Sequence, residues 1–147
     1  MEAVVGFRRA MRHALRVRME EGPLLESNRR LFSYLKACLA HRTAEESRVL
    51  YLTTDNRLIR DEVTAFGTID ESAVYPREII HRALDLAAAG LVLVHNHPSG
   101  NCLPSRSDVG FTKRLSDLAA PLGLAVLDHV VVGREACTSM RTAGLLA

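Results

Sequence analysis

Two histidines, a serine and an aspartate stand at set spacing within residues 95–108: His95, His97, Ser105 and Asp108. On an extended strand, side chains two apart point the same way, so His95 and His97 would leave a strand end side by side. Pro98, Gly100 and Pro104 then force a loop. A helix is expected from Ser105, with Ser105 as N-cap and Asp108 at its third position. Two imidazoles and one carboxylate thus converge across a single loop. That donor set suits Zn²⁺ in a catalytic site, where three protein ligands leave one position for water. Each piece alone has a plainer reading. Ser105-x-x-Asp108 is a capping box that only starts a helix, and histidines at strand ends often only hydrogen-bond. The combination in one register is what points to metal chemistry.

The elements that must position these groups follow from the flanking pattern. Leu91-Val92-Leu93-Val94 is an apolar run entered from Gly90 and reads as a buried strand. Before it, Ile80, Ala83, Leu84, Ala87 and Ala88 form one stripe of a helix that starts after Tyr75-Pro76 and ends at Gly90. After it, Phe111, Leu115, Leu118 and Ala119 extend the Ser105 helix to the residue before Pro121. Val49–Leu52 is strand-like, residues 53–56 turn, and Arg57-Leu58-Ile59 begins a return strand that could run on through Val63-Thr64-Ala65-Phe66 to Gly67. Ala125–Val132 predicts a central strand around Asp128-His129, and Cys137–Met140 a last edge. Strands outnumber helices here, with helices inserted between them, which makes an α/β sandwich with helices covering a mixed sheet.

Ahead of this lies a helical segment, residues 1–40, distinct from the metal-binding part at 41–147. Val4, Phe7, Met11 and Leu15 recur at helical spacing up to about Glu20, where Gly22-Pro23 breaks the helix. Ser27 can cap a second helix carrying Leu31, Leu35 and Leu39. Arg8, Arg9, Arg12, Arg16 and Arg18 cluster with His13, opposed up to residue 18 only by Glu2. A solvated face is the simpler reading of that stripe, and a nucleic-acid contact is the alternative.

The chain as a whole has 147 residues, 48% hydrophobic and 24% charged, the size and composition of one globular domain with a helical appendage. A formal net charge of +2 does not by itself argue for nucleic acid. No apolar run has membrane-spanning length and no signal peptide is recognisable, so the cytoplasm is the expected location. Cys38, Cys102 and Cys137 are an odd number without metal-knuckle spacing, which suits a reducing compartment.

The joint string His-x-His, seven residues, Ser, two residues, Asp resembles the motif of the JAB/MPN (JAMM) metallopeptidases. Its wording, His95-Asn96-His97-Pro98-Ser99-Gly100, is similar to the bacterial RadC branch. That similarity runs from about Glu45 to Leu146 and includes Asn56–Ile59, Gly67-Thr68, Pro76–Glu78, Asp128-His129 and Gly144–Leu146. The resemblance implies the JAB/MPN fold, a cytidine-deaminase-like layered α/β sandwich. It also implies one Zn²⁺ on His95, His97 and Asp108, and hydrolysis of a peptide or isopeptide bond of a protein or peptide substrate by a zinc-bound water. By the same resemblance an upstream Glu is the general acid/base and Ser105 donates a hydrogen bond to the oxyanion. The helix-hairpin-helix region expected ahead of this domain in longer RadC proteins is not recognisable, so the chain is either a short member or a truncated one. The family's historical naming for DNA repair says little about chemistry.

Glu45, Glu46 and Glu62 are the candidates for the acid/base. Glu45 is preferred because RadC-like sequences carry an acid seven residues before the last apolar residue of this strand, and counting back from Leu52 gives Glu45. Glu46 would point to the opposite face, and Glu62 would be a surface salt-bridge partner. Asp128-His129 is either a buried, satisfied pair or an outer support of a metal ligand. Asn101-Cys102 departs from the RadC pattern, and the Cys102 thiol is either passive or within reach of the metal. Two other classes stay open. One is a JAB/MPN scaffold or DNA-associated module without turnover. The other is a metal-dependent nuclease, for which a single carboxylate, Asp108, is a thin supply.

Overall fold

In the computed structural model, described over residues 1–23, 28–64 and 76–146, a five-stranded sheet separates two layers of helices. The strands are β1 (Ser47–Leu52), β2 (Leu58–Val63), β3 (Gly90–Asn96), β4 (Ala125–Val132) and β5 (Cys137–Ser139). Their order across the sheet is β2-β1-β3-β4-β5, with β3 and β4 parallel and every other neighbouring pair antiparallel. The helices are α1 (Glu2–Glu20), α2 (Asn28–Leu39), α3 (Pro76–Asp85) and α4 (Arg106–Ala119). The mixed sheet flanked by helices is the expected α/β architecture.

Strand alternation decides which layer each residue joins. All seven residues of β3 are buried, as a strand covered on both faces requires. Val92 and Val94 face one way and pack with Leu31, Tyr34, Leu35 and Leu39 of α2 and with Leu50, Val130 and Val132. Leu91 and Leu93 face the other way and pack with Ile79, Ile80 and Ala83 of α3 and with Leu115 and Ala119 of α4. His95 continues the second row, so it emerges on the α3/α4 side. Met19 and Leu15 anchor the end of α1 to the first cluster, whereas Val4, Phe7 and Met11 nearer its start stay exposed.

Several boundaries differ from the sequence pattern for physical reasons. α3 ends at Asp85 rather than running to Gly90. Ala87 turns left-handed at φ 52°, its N–H bonds Leu84 O at 3.0 Å, and Ala88 N–H bonds Ala83 O at 2.9 Å. These two bonds form a Schellman ending with alanine where glycine is usual. Leu84, expected in the stripe, is half exposed. Gly90 instead begins β3, where a Cβ would lie 2.6 Å from Leu127 Cδ1. α4 stops at Ala119, and Pro121 sits in the short 3₁₀ turn Ala120–Leu122 closed by Gly123. The expected cap at Ser27, the continuation through Ala65-Phe66 to Gly67, and Tyr75 lie outside the described residues.

Candidate metal centre

The loop between β3 and α4 is held from both ends. Gly100 takes φ +87° and its N–H bonds His97 O at 2.9 Å, reversing the chain just after the second histidine. Gly100 O then accepts from Arg134 N at 3.1 Å, which fastens the loop to the β4–β5 turn. At the far end Ser105 caps α4 reciprocally. Its Oγ accepts from Asp108 N at 3.0 Å, and its own N–H donates to Asp108 Oδ2 at 2.7 Å. The box that merely starts a helix elsewhere here also aims a carboxylate.

Three atoms meet at this point. His95 Nε2 and His97 Nε2 are 3.0 Å apart, and Asp108 Oδ2 lies 3.3 Å from the first and 3.4 Å from the second. Bonds of about 2.0–2.1 Å to a tetrahedral Zn²⁺ would set its ligand atoms about 3.3 Å apart. The spacing fits. Among the described residues this is the group of His, Cys, Asp and Glu side chains able to hold a metal ion. His95 and Asp108 are buried, each side chain 2% exposed, while that of His97 is 21% exposed and marks the open side.

The proton positions fit a cation as well. His97 Nδ1 lies 3.1 Å from the carbonyl of Asn101, which can only accept, so Nδ1 carries the proton and Nε2 is bare. His95 Nδ1 lies 2.7 Å from His129 Nε2, and His129 Nδ1 lies 2.6 Å from Thr112 Oγ1. Burial, then the neighbouring His95, pushes the His129 imidazole down to about 3, so it is neutral. Burial opposes the charge of Asp108, yet its hydrogen bond and attraction to His95, with support from Ser105, hold its carboxyl well below the usual range. With the His95 proton on Nδ1, toward His129, rather than on Nε2, toward Asp108, two imidazole lone pairs and a carboxylate would converge on one point, an arrangement that a cation relieves.

The remaining residues singled out from the sequence fall as follows. Ser105 borders the cluster through its bond to Asp108. Asn96, between the two histidines, accepts from Glu46 N at 2.7 Å and donates to Ala44 O at 3.1 Å, so it pins the chain entering β1. Glu45 lies in that entry and is exposed. Ser47, two residues further on, pairs with His95 at the end of the β1–β3 ladder. Glu46 turns to the other face and pairs with Arg48 at 2.9 Å and Arg42 at 3.3 Å. Glu62 is held by Arg82 of α3. Cys102 is not part of the donor group, and its Cβ would lie 3.0 Å from a Cβ at Gly133.

Asp128 and His129 have separate roles. Asp128 Oδ1 accepts from His129 N and Arg141 N, and Oδ2 from Ser139 Oγ, which ties down the turn after β5. His129 alone reaches the centre. Sequence reasoning missed Thr112, whose only signal is a hydroxyl one helical turn beyond Asp108 on the buried side of α4.

Residues 25–145 match the family model described as the RadC-like JAB domain. The chain is also 44% identical over 137 residues to a UPF0758 protein of Rhodobacter capsulatus, covering 93% of this chain. The match spans 64% of that relative's length.

Proposed function

Since the chain belongs to the RadC-like JAB domain family, we propose that it is a zinc-dependent hydrolase that cleaves a peptide or isopeptide bond at the His95–His97–Asp108 centre. The observation that carries this reading is the convergence of three lone-pair atoms within 3.0–3.4 Å while both Nδ1 protons are bonded elsewhere. When bound there, zinc would supply a Lewis acid and an activated water.

The chain's own residues supply the rest. Glu45 is assigned the proton transfers: its carboxylate accepts a proton during attack and returns it to the leaving nitrogen. Glu46 and Glu62 are engaged by arginines, whereas Glu45 is exposed, has no ion pair among the described residues and stands two residues before Ser47, the strand partner of His95. Ser105 Oγ accepts from Asp108 N, which leaves its own proton to donate to the carbonyl oxygen as charge builds there. The openness on the His97 side gives a peptide access to the centre.

The test combines metal content with turnover. Purified protein should carry about one zinc per chain, and Asp108→Ala should lose it, with both read by elemental analysis. Glu45→Gln should keep the zinc and lose about 10²–10⁴-fold in cleavage of a quenched peptide or an isopeptide-linked pair. Zinc retained in full by Asp108→Ala would remove the assigned centre. An active Glu45→Gln enzyme would move the acid/base elsewhere. Zinc binding without cleavage of either substrate would leave a scaffold, and salt-resistant binding of duplex DNA by the arginine face of α1 would make it a DNA-associated one.

A further inference from the structure

We propose that Thr112 and His129 are positioning residues: the Thr112 hydroxyl sets the direction of a chain of hydrogen bonds that holds the His95 proton on Nδ1 and keeps Nε2 bare toward the centre. This inference rests on the zinc centre proposed above but reaches two residues that touch neither metal nor substrate.

The chain runs His95 Nδ1···His129 Nε2 at 2.7 Å, His129 Nδ1···Thr112 Oγ1 at 2.6 Å, and Thr112 Oγ1 to Asp108 O at 2.6 Å. Its direction follows from the last link. A carbonyl oxygen cannot donate, so an oxygen–oxygen contact this short requires the threonine proton to lie between them. The other acceptor near the hydroxyl, Met140 Sδ, is 3.9 Å away and weaker. With its one proton committed, Thr112 Oγ1 can only accept from His129, so His129 carries its proton on Nδ1. Its Nε2 is then an acceptor and His95 Nδ1 the donor. Reversal would put a proton on His129 Nε2, leave His95 Nδ1 as an acceptor, and drive the His95 proton onto Nε2, where the centre needs a lone pair.

The anchor is a local property of the helix. Threonine in a helix can turn Oγ1 back to the carbonyl four residues earlier, and here that carbonyl belongs to Asp108. One helical residue therefore offers its side chain to the centre and its main chain to the support of the opposite ligand. All members are buried, so water does not compete for the links: Thr112 is 0% exposed, and His95 and His129 are each 1% exposed.

Threonine variants separate this role from packing. Thr112→Val keeps the volume and removes the hydroxyl, and Thr112→Ser keeps the hydroxyl and removes a methyl. Zinc affinity of the full chain, read by competition with a chromogenic chelator, should fall about 10–100-fold in Thr112→Val and stay near wild type in Thr112→Ser. A packing role predicts the opposite order. The second readout is the imidazole ¹⁵N spectrum of the metal-free chain at about pH 8, where free imidazoles are neutral. The His129 signals, assigned by their loss in His129→Gln, should show Nδ1 protonated and Nε2 bare in wild type, and a mixed or reversed pattern in Thr112→Val. Wild-type zinc affinity in Thr112→Val, or a proton on Nε2 of wild-type His129, overturns the proposal. If Thr112→Val fails to fold, the wild-type spectrum decides together with His129→Leu, expected to lose affinity, against His129→Gln, expected to keep most of it. A wild-type chain that binds no zinc removes the zinc hydrolase reading, while the spectrum still decides the direction of the chain.

Discussion

Cysteine and histidine illustrate how differently burial acts on single residues around this site. Burial disfavours the charged form of either group, so it lowers the basicity of His129 and raises the thiol of Cys137. Cys137 is pushed up to about 11 by burial, with Lys36 pulling it down and Cys102 adding to the rise. The thiolate is the reactive form, so at neutral pH almost all of Cys137 is inert. In a Cys38→Ala, Cys102→Ala background, its alkylation rate should climb about tenfold per pH unit from neutrality to about pH 10. After denaturation the same plot should level off near the free-thiol value of about 8.5. A folded-state rate that levels off by about pH 9 would show that Cys137 is far less enclosed than the structure has it.

The metal loop and the β4–β5 turn meet through close backbone contact, and glycine is the reason they can. Gly133, in the turn between β4 and β5, sits so close to the metal loop that a Cβ there would lie 2.6 Å from Gly100 O and 3.1 Å from Ala136 O. Both neighbours are main-chain atoms and cannot swing aside. At Gly90 a Cβ would meet Leu127 Cδ1 at the same 2.6 Å, but that is the end of a flexible side chain. Gly133→Ala should therefore cost about 1–3 kcal/mol in chemical denaturation, the usual range for overpacking, and weaken zinc binding because the His97–Gly100 turn must shift. Stability and zinc affinity unchanged within error would mean the loop is not held from this side. The strand and helix assignments were mostly legible in the sequence because their periods are local. The ending of α3 was not, because Ala87 adopts a conformation that alanine does not announce.

Across the molecule, one sheet serves two cores, and the centre sits where the carboxyl ends of parallel β3 and β4 meet the start of α4. Ligands commonly collect at such strand ends in open α/β sheets. The α2 layer shares its core with the strands that carry the site: Leu35 is fully buried and clusters with Leu50, Val94 and Val130. An ion-pair network adds to this junction, with Arg48 on Asp61 at 3.0 Å and Tyr34 of α2 bonded to the same carboxylate. Leu35→Ala should accordingly cost about 2–5 kcal/mol. Helical circular dichroism and a thiol probe on Cys102 should report a single shared transition. Loss of the helical signal well before the probe responds would show that residues 1–40 unfold as a unit of their own.

The residues of the centre could be read from the chain because His95, His97, Ser105 and Asp108 are joined by one short loop. Strand alternation, two prolines, a glycine and a capping box leave that loop little freedom, so spacing alone carried most of the geometry. Glu46 was expected to turn away from the face of Glu45, and it is engaged by Arg42 and Arg48. What supports the ligands was decided only by tertiary structure. His129 reaches His95 because β4 lies parallel to β3, a pairing between residues 34 apart in sequence, and Thr112 meets His129 because α4 packs back over both strands. No local period encodes such contacts. In the sequence Asp128 and His129 stand as adjacent polar residues, and the sheet divides them by turning one toward the C-terminal turn and the other toward the metal centre.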